Sequence, residues 1–155
     1  MSASTPRLPP RWFMRAFWFG HRRMFRLTRG RLGLWRPKPN GWGAARLTVV
    51  GRRTGVERSV MIGYFVDGPN VVTMAMNGWG DGEPAWWLNL QAHPDARVEL
   101  RGESRLVTGR AATGEERERL WARWREIDKN LDSYAARRST QTAVVVLEPR
   151  QQAGG

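Results

Sequence analysis

Gly51-Arg52-Arg53-Thr54-Gly55 follows the strand-like run ARLTVV, and Arg58 stands three residues further on. Guanidinium forks beside glycine-freed backbone N–H groups are the donors that bind phosphate or carboxylate oxygens. Two readings stand on these residues alone. One is an anion-binding loop; the other is a solvated hairpin tip, in which glycine supplies a positive φ and arginine stays in water. Other chemistries are poorly supplied. With no cysteine, the chain has no disulfide, thiol nucleophile or iron–sulfur ligand. Its two histidines, His21 and His93, would leave a zinc site mostly carboxylate and a serine triad short of bases, so no metal site is expected.

The formal net charge of +12 is unevenly spread. Residues 1–56 hold 13 of the 26 Lys and Arg and no acid, and from Glu57 onward 13 basic residues face 14 acidic ones. A body of ordinary charge thus carries a cationic N-terminal arm. Residues 11–29 interleave Trp12, Phe13, Phe17, Trp18 and Phe25 with arginines, the content of a cationic amphipathic helix. Such a helix either packs its aromatic stripe on the domain or rests on an anionic membrane surface. Arginine with aromatics also suits nucleic acid, but nothing resembling a readout module is present. No apolar run approaches the ~20 residues that span a bilayer, and the basic start lacks the unbroken apolar core of a signal peptide. A cytoplasmic protein is expected, on the inner face of the cell membrane if the arm binds lipid. Nothing in the sequence sets an oligomeric state.

The loop needs strands to hold it. At 155 residues one domain is expected, able to bury about two-thirds of its unfolded surface. β-branched and apolar runs at 45–50, 57–66 and 71–76, separated by turn residues that include Asp67-Gly68-Pro69-Asn70, predict an antiparallel meander. A glycine-dense loop, NGWGDGEP (77–84), leads into a short helix begun by Pro84 and closed by His93-Pro94. ARVEL and SRLVTGRAA read as a hairpin around Arg101-Gly102. Thr113-Gly114-Glu115-Glu116 fits a capping box opening a helix through RERLWARWREI, and TAVVVLEP (142–149) reads as a final buried strand. Roughly six strands without βαβ alternation argue for an α+β barrel and against a Rossmann fold. The expected organisation is a disordered tail over 1–10, a basic aromatic helix and linker over 11–40, a barrel over 41–149 and a tail over 150–155.

In this order, the segment LTVVGRRTGVERSVMIGYFVDGPNVVTMAMNGWGDGEPAWWLNLQAHPDARVEL, an acid-capped helix and VVVLEP resemble the deazaflavin-dependent nitroreductase family, which includes F420H2-dependent quinone reductase-like enzymes. The resemblance implies a split β-barrel of the FMN-binding type with flanking helices, and coenzyme F420 as cofactor. It implies hydride transfer to a lipophilic acceptor: a quinone, a nitroaromatic or an unsaturated lipid-like compound. It assigns Arg52, Arg53, Thr54, Gly55 and Arg58 to the cofactor's phosphodiester and oligoglutamate tail. It lays Met74, Ala75, Met76 and Asn77, taken as an edge strand and its exit, along the deazaflavin ring. Trp86 and Asn89 match the family's helix motif, whereas Trp87 and Leu90 read as buried anchors. Tyr134 matches a tyrosine of the family's substrate pocket. Met76, Asn77, Trp79, Asp128 and Leu131 depart from the family's usual residues, which implies a reshaped acceptor pocket with few hydroxyl donors. A non-catalytic module of the same fold, holding a deazaflavin, flavin or fatty acid, is the alternative.

Overall fold

The computed structural model describes residues 34–39 and 41–150; the expected N-terminal helix over 11–29 and both terminal tails from 1 and 151 lie outside the described residues. Six strands close into an antiparallel barrel: β1 (Gly43–Val50), β2 (Glu57–Asp67), β3 (Asn70–Met74), β4 (Asp95–Leu100), β5 (Glu103–Ala111) and β6 (Val144–Pro149). Around the barrel they run β1-β2-β3-β6-β5-β4, with β1 pairing back onto β4. Helices α1 (Ala85–Ala92), α2 (Gly114–Ile127) and α3 (Leu131–Ala135) flank it, and a single 3₁₀ turn covers Asn77–Trp79.

Two-residue turns set the register. Asp67 pairs with Asn70 across Gly68-Pro69, and Leu100 with Glu103 across Arg101-Gly102; Gly68 and Gly102 take φ of +57° and +86°. Those left-handed values are the ones glycine adopts at no steric cost.

The strand period of two sorts side chains into two cores. On β3 and β6, Val71, Val145 and Leu147 enter the barrel interior, while Val72, Val144 and Val146 face outward under α2 and meet Leu120, Trp124 and Leu131. Helix α1 plugs the interior core with Trp87 and Leu90. Leu90 lies so close to β5 that a Cβ on Gly109 would fall 2.4 Å from its Cδ2, so glycine there is what lets the helix seat.

Two local expectations fail for identifiable reasons. The capping box does not form: Thr113 makes no side-chain cap, and the Glu116 carboxylate is instead gripped by both Nη atoms of Arg110. A charge-assisted fork outcompetes a neutral backbone N–H. The third strand, expected to run to 76, stops at Met74, because Asn77, Gly78 and Trp79 all take left-handed φ near +50° to +60°.

Candidate functional site

The loop between β1 and β2 is built by its own glycines and threonine. Gly51 donates to Val56 O at 2.8 Å and Gly55 donates to Gly51 O at 2.8 Å, while Thr54 Oγ1 accepts from Val56 N. A Cβ on Gly51 would sit 3.0 Å from Thr54 Oγ1 and 3.1 Å from Val56 O, and Gly55 has φ +71°. Gly55 thus takes a backbone that glycine adopts without strain, and Gly51 leaves little room for a side chain against Thr54 and Val56. Arg52, Arg53 and Arg58 project from it into solvent, and among the described residues none of them is paired with a carboxylate.

Arg52 alone is tied down. Its backbone N–H donates to Asn89 Oδ1 at 3.1 Å and its Nη1 donates to the same oxygen at 2.9 Å. Asn89 is buried on α1, and Trp86 stands half-buried on the same helix, edge-on to Trp87 at 6.3 Å. Arg52 and Asn89 are thus brought into contact where the β1–β2 loop meets α1, with Arg53, Thr54 and Gly55 on the same loop, Arg58 at the start of β2 and Trp86 on the same helix.

The second group lies beyond β3. Met74 and Ala75 are buried, Met76 and Asn77 half-buried. The expectation that this is an edge strand with free amides is corrected: β3 pairs with β2 on one side and β6 on the other, Ala75 N donates to Ala143 O, and Ala75 O accepts from Arg138. A closed barrel leaves no edge. The polar groups nearest the end of the ladder are therefore those from Met76 onward. Asn77 uses Nδ2 to hold Asp81 O and Gly82 O. Trp79 is 8% exposed with φ +61°, a strained conformation for a large residue, and its indole stacks on Tyr134 with centroids 5.9 Å apart and planes 28° from parallel. The guanidinium of Arg137 lies 5.6 Å from the Tyr134 ring. Leu131, expected to face the acceptor, is fully buried and packs in the core with Leu120 and Trp124 of α2.

Sequence reasoning missed Arg138. Its side chain is completely buried and donates to Ala75 O, Gly80 O, Gly82 O and Thr142 Oγ1, with Glu83 Oε1 at 3.3 Å. Next to it, Ser139 N and Oγ both donate to Asp81 Oδ1. This arginine ties the glycine-dense loop to the segment that carries Tyr134, and the loop runs on through Pro84 into α1. It is the covalent and hydrogen-bonded link between the two groups. Among the described residues no cluster of His, Asp or Glu could hold a metal ion, and no helix is long and apolar enough to cross a membrane.

Comparison with known proteins adds to this geometry. The family model for F420H(2)-dependent quinone reductase matches residues 20–149. An F420H(2)-dependent quinone reductase of Mycobacterium tuberculosis is 29% identical over 133 residues, covering 84% of this chain and 88% of that protein. Among solved structures, an F420-H2 dependent reductase matches with a TM-score of 0.62 at 24% identity, over 68% of this chain and 93% of its own. A domain-swapped dimer matches with a TM-score of 0.64 at 22% identity, over 86% of this chain and 98% of its own. Both structural likenesses concern the fold.

Proposed function

The chain belongs to the F420H(2)-dependent quinone reductase family and is an F420-dependent oxidoreductase, and from that premise we propose that it passes a hydride from reduced F420 to a lipophilic quinone-type acceptor. The observation that carries the reading is the unbalanced basic cluster: Arg52, Arg53 and Arg58 around a glycine turn, with no carboxylate paired to any of them among the described residues. A phosphodiester continued by glutamates is a polyanion, and unpaired guanidinium forks are the donors such a chain needs, so the residues present fit the cofactor.

The cofactor when bound supplies the hydride chemistry, and this chain supplies placement and electrostatics. Arg52, Arg53 and Arg58 bind the anionic tail, and Thr54 with Gly55 holds the turn that presents them. Met74 and Ala75 form a rigid wall at the end of β3, followed by the adaptable thioether of Met76 and the amide of Asn77. Trp86 and Asn89 back the tail groove from α1. Tyr134, paired with Trp79, places a phenolic O–H on the acceptor side, where it holds a proton for the developing oxyanion. The nitroaromatic and unsaturated lipid-like acceptors belong to the same proposal. Mixing the protein with reduced F420 and a panel of these acceptors, while following deazaflavin absorbance, tests it. Oxidation with the quinone supports a reductase. Tight binding with no oxidation by any acceptor makes the protein a carrier.

The acid-free arm supports one addition, peripheral attachment of residues 11–29 to an anionic bilayer, at about 1 kcal/mol per basic residue near the surface. Flotation with anionic liposomes, comparing the full chain with one beginning near Trp42, tests it. Equal flotation of the two would reduce the arm to packing.

A further inference from the structure

We infer that Asn89 is a positioning residue which presets Arg52 for the anionic tail and does not itself touch the ligand, an inference that rests on the tail-binding role proposed above. Asn89 Oδ1 accepts two hydrogen bonds from one residue: Arg52 N at 3.1 Å and Arg52 Nη1 at 2.9 Å. A carbonyl oxygen has two lone pairs, so both are engaged by Arg52, and a direct contact with an anionic ligand would have to come from the Asn89 Nδ2 donors, the alternative that the mutant cycle below tests. The two bonds close a ring that includes the whole Arg52 side chain. The backbone bond sets the height of the loop over α1, and the side-chain bond sets the direction of the guanidinium.

The ring leaves the guanidinium functional. Of its five N–H donors one is spent on Asn89, and the Nε–H with the Nη2 protons remains as a planar edge for bidentate capture of a phosphate or carboxylate. Arg53, on the same turn, has no such tether among the described residues. The two adjacent arginines are thus unequal. Arg52 is exposed yet held in one geometry, whereas Arg53 must be ordered by the ligand. Preorganisation lowers the cost of binding at Arg52, so that position should contribute more to affinity.

The base that holds Asn89 is rigid. Asn89 sits one residue before Leu90, which is fully buried against Gly109, and two after the buried Trp87; His93 N closes the helix onto Asn89 O at 2.9 Å. The barrel core therefore fixes α1, α1 fixes the Asn89 amide, and the amide fixes an otherwise solvent-exposed arginine. A ligand contact by Asn89 would place the same residue in the binding set for a different reason, and a double-mutant cycle separates the two.

Dissociation constants for oxidised F420 are measured by titration for the wild type, Arg52→Ala, Asn89→Ala and the double variant, with thermal unfolding alongside. Asn89→Leu, which retains side-chain volume at a buried helix position, replaces Asn89→Ala should that variant unfold. The expected pattern is weakening of about tenfold or more for Arg52→Ala, about three- to tenfold for Asn89→Ala, and an Asn89 effect at least threefold smaller when Arg52 is already absent. A second readout needs no cofactor: hydrogen exchange at the Arg52 amide should be slow in the wild type and fast in Asn89→Ala. An Asn89 factor equally large with and without the arginine overturns the inference, as does an Asn89→Ala protein that binds like the wild type while Arg52→Ala binds weakly. Wild-type affinity in Arg52→Ala overturns the tail assignment itself, and the inference with it.

Discussion

Arg138 Nη1 donates to the carbonyl of Ala75 at 3.0 Å from a side chain with no solvent exposure. The same guanidinium reaches Gly80 O, Gly82 O and Thr142 Oγ1, so one cation satisfies three loop carbonyls that glycine-rich backbone could not pair by itself. A buried charge survives only where its donors are used, and here they are.

Arg138→Ala should destabilise the protein by about 3 kcal/mol or more, since it strands the Ala75 and Gly80 carbonyls, leaves Gly82 O with Asn77 Nδ2 alone, and leaves Glu83 without its partner. Arg138→Lys should recover less than half of that, because an ammonium is a point charge and cannot fork. Urea denaturation measures both. A loss under about 1 kcal/mol in the alanine variant would mean that the loop is held by other groups.

Acid sensitivity follows from carboxylates paired with arginines, of which three tie separate elements of the fold together. The hydrogen bond from Arg119 holds the Asp67 carboxyl below its usual range; Arg110 does the same for Glu116, and Trp121 followed by Arg125 does so for Asp132. A folded-state value below the unfolded one contributes stability that is complete above the ordinary carboxylate range, near 4, and is lost as pH falls through the folded value. Stability should thus be level with respect to these groups near neutrality and decline below about pH 4. Asp67, which joins the β2–β3 turn to α2 through Arg119 and Arg123, is the most enclosed of them. Asp67→Asn should therefore lower stability at pH 7 modestly and flatten the acid limb. Urea midpoints from pH 2 to 7 for both proteins check this; parallel curves would refute it.

Much of the barrel was legible because its signals are local. Valine-rich apolar runs flank the Gly68-Pro69 and Arg101-Gly102 turns, and each turn fixes the register of the strands it joins. The capping box misled because its glutamate has a stronger partner in Arg110, which stands on a strand six residues earlier. The strand reading through 76 failed where Asn77 and Trp79 take left-handed backbone, which no propensity favours for a tryptophan. Arg138 had no signal at all. It reads as part of a solvated basic run, ARR, and its burial depends on carbonyls 56 to 63 positions upstream. Asn89 was legible as a matched position, but its partner was not, because 37 residues separate it from Arg52.

Arg53 and Arg58 should act chiefly through long-range attraction, being exposed and without carboxylate partners among the described residues. Replacing both with alanine should weaken F420 binding by about five- to tenfold at low salt and by little above about 0.5 M, where screening shortens the reach of exposed charges to a few ångströms. Fold stability should move by less than about 0.5 kcal/mol. Titration at several salt concentrations reads this directly, and salt dependence equal to the wild type's would remove both residues from the tail groove.

The acceptor pocket should favour an apolar ring over a nitro group. Leu131 is buried in the core with Leu120 and Trp124 of α2, Met76 offers a thioether, and the Asp128 side chain accepts from Asn130 N, so Tyr134 is the hydroxyl donor that remains of those positions. Tyr134, half-buried and stacked on the buried Trp79, offers an aromatic face, which suits a flat quinone, whereas a nitro oxygen needs hydrogen bonds that are missing, and sites built on such bonds lose orders of magnitude without them. Steady-state reduction of a menaquinone analogue should therefore exceed that of a nitroimidazole, and Tyr134→Phe should slow the quinone reaction by roughly tenfold or more with the fold intact. Full-rate turnover by Tyr134→Phe on both acceptors, or nitroimidazole turnover matching the quinone's, would place the acceptor against other groups than these.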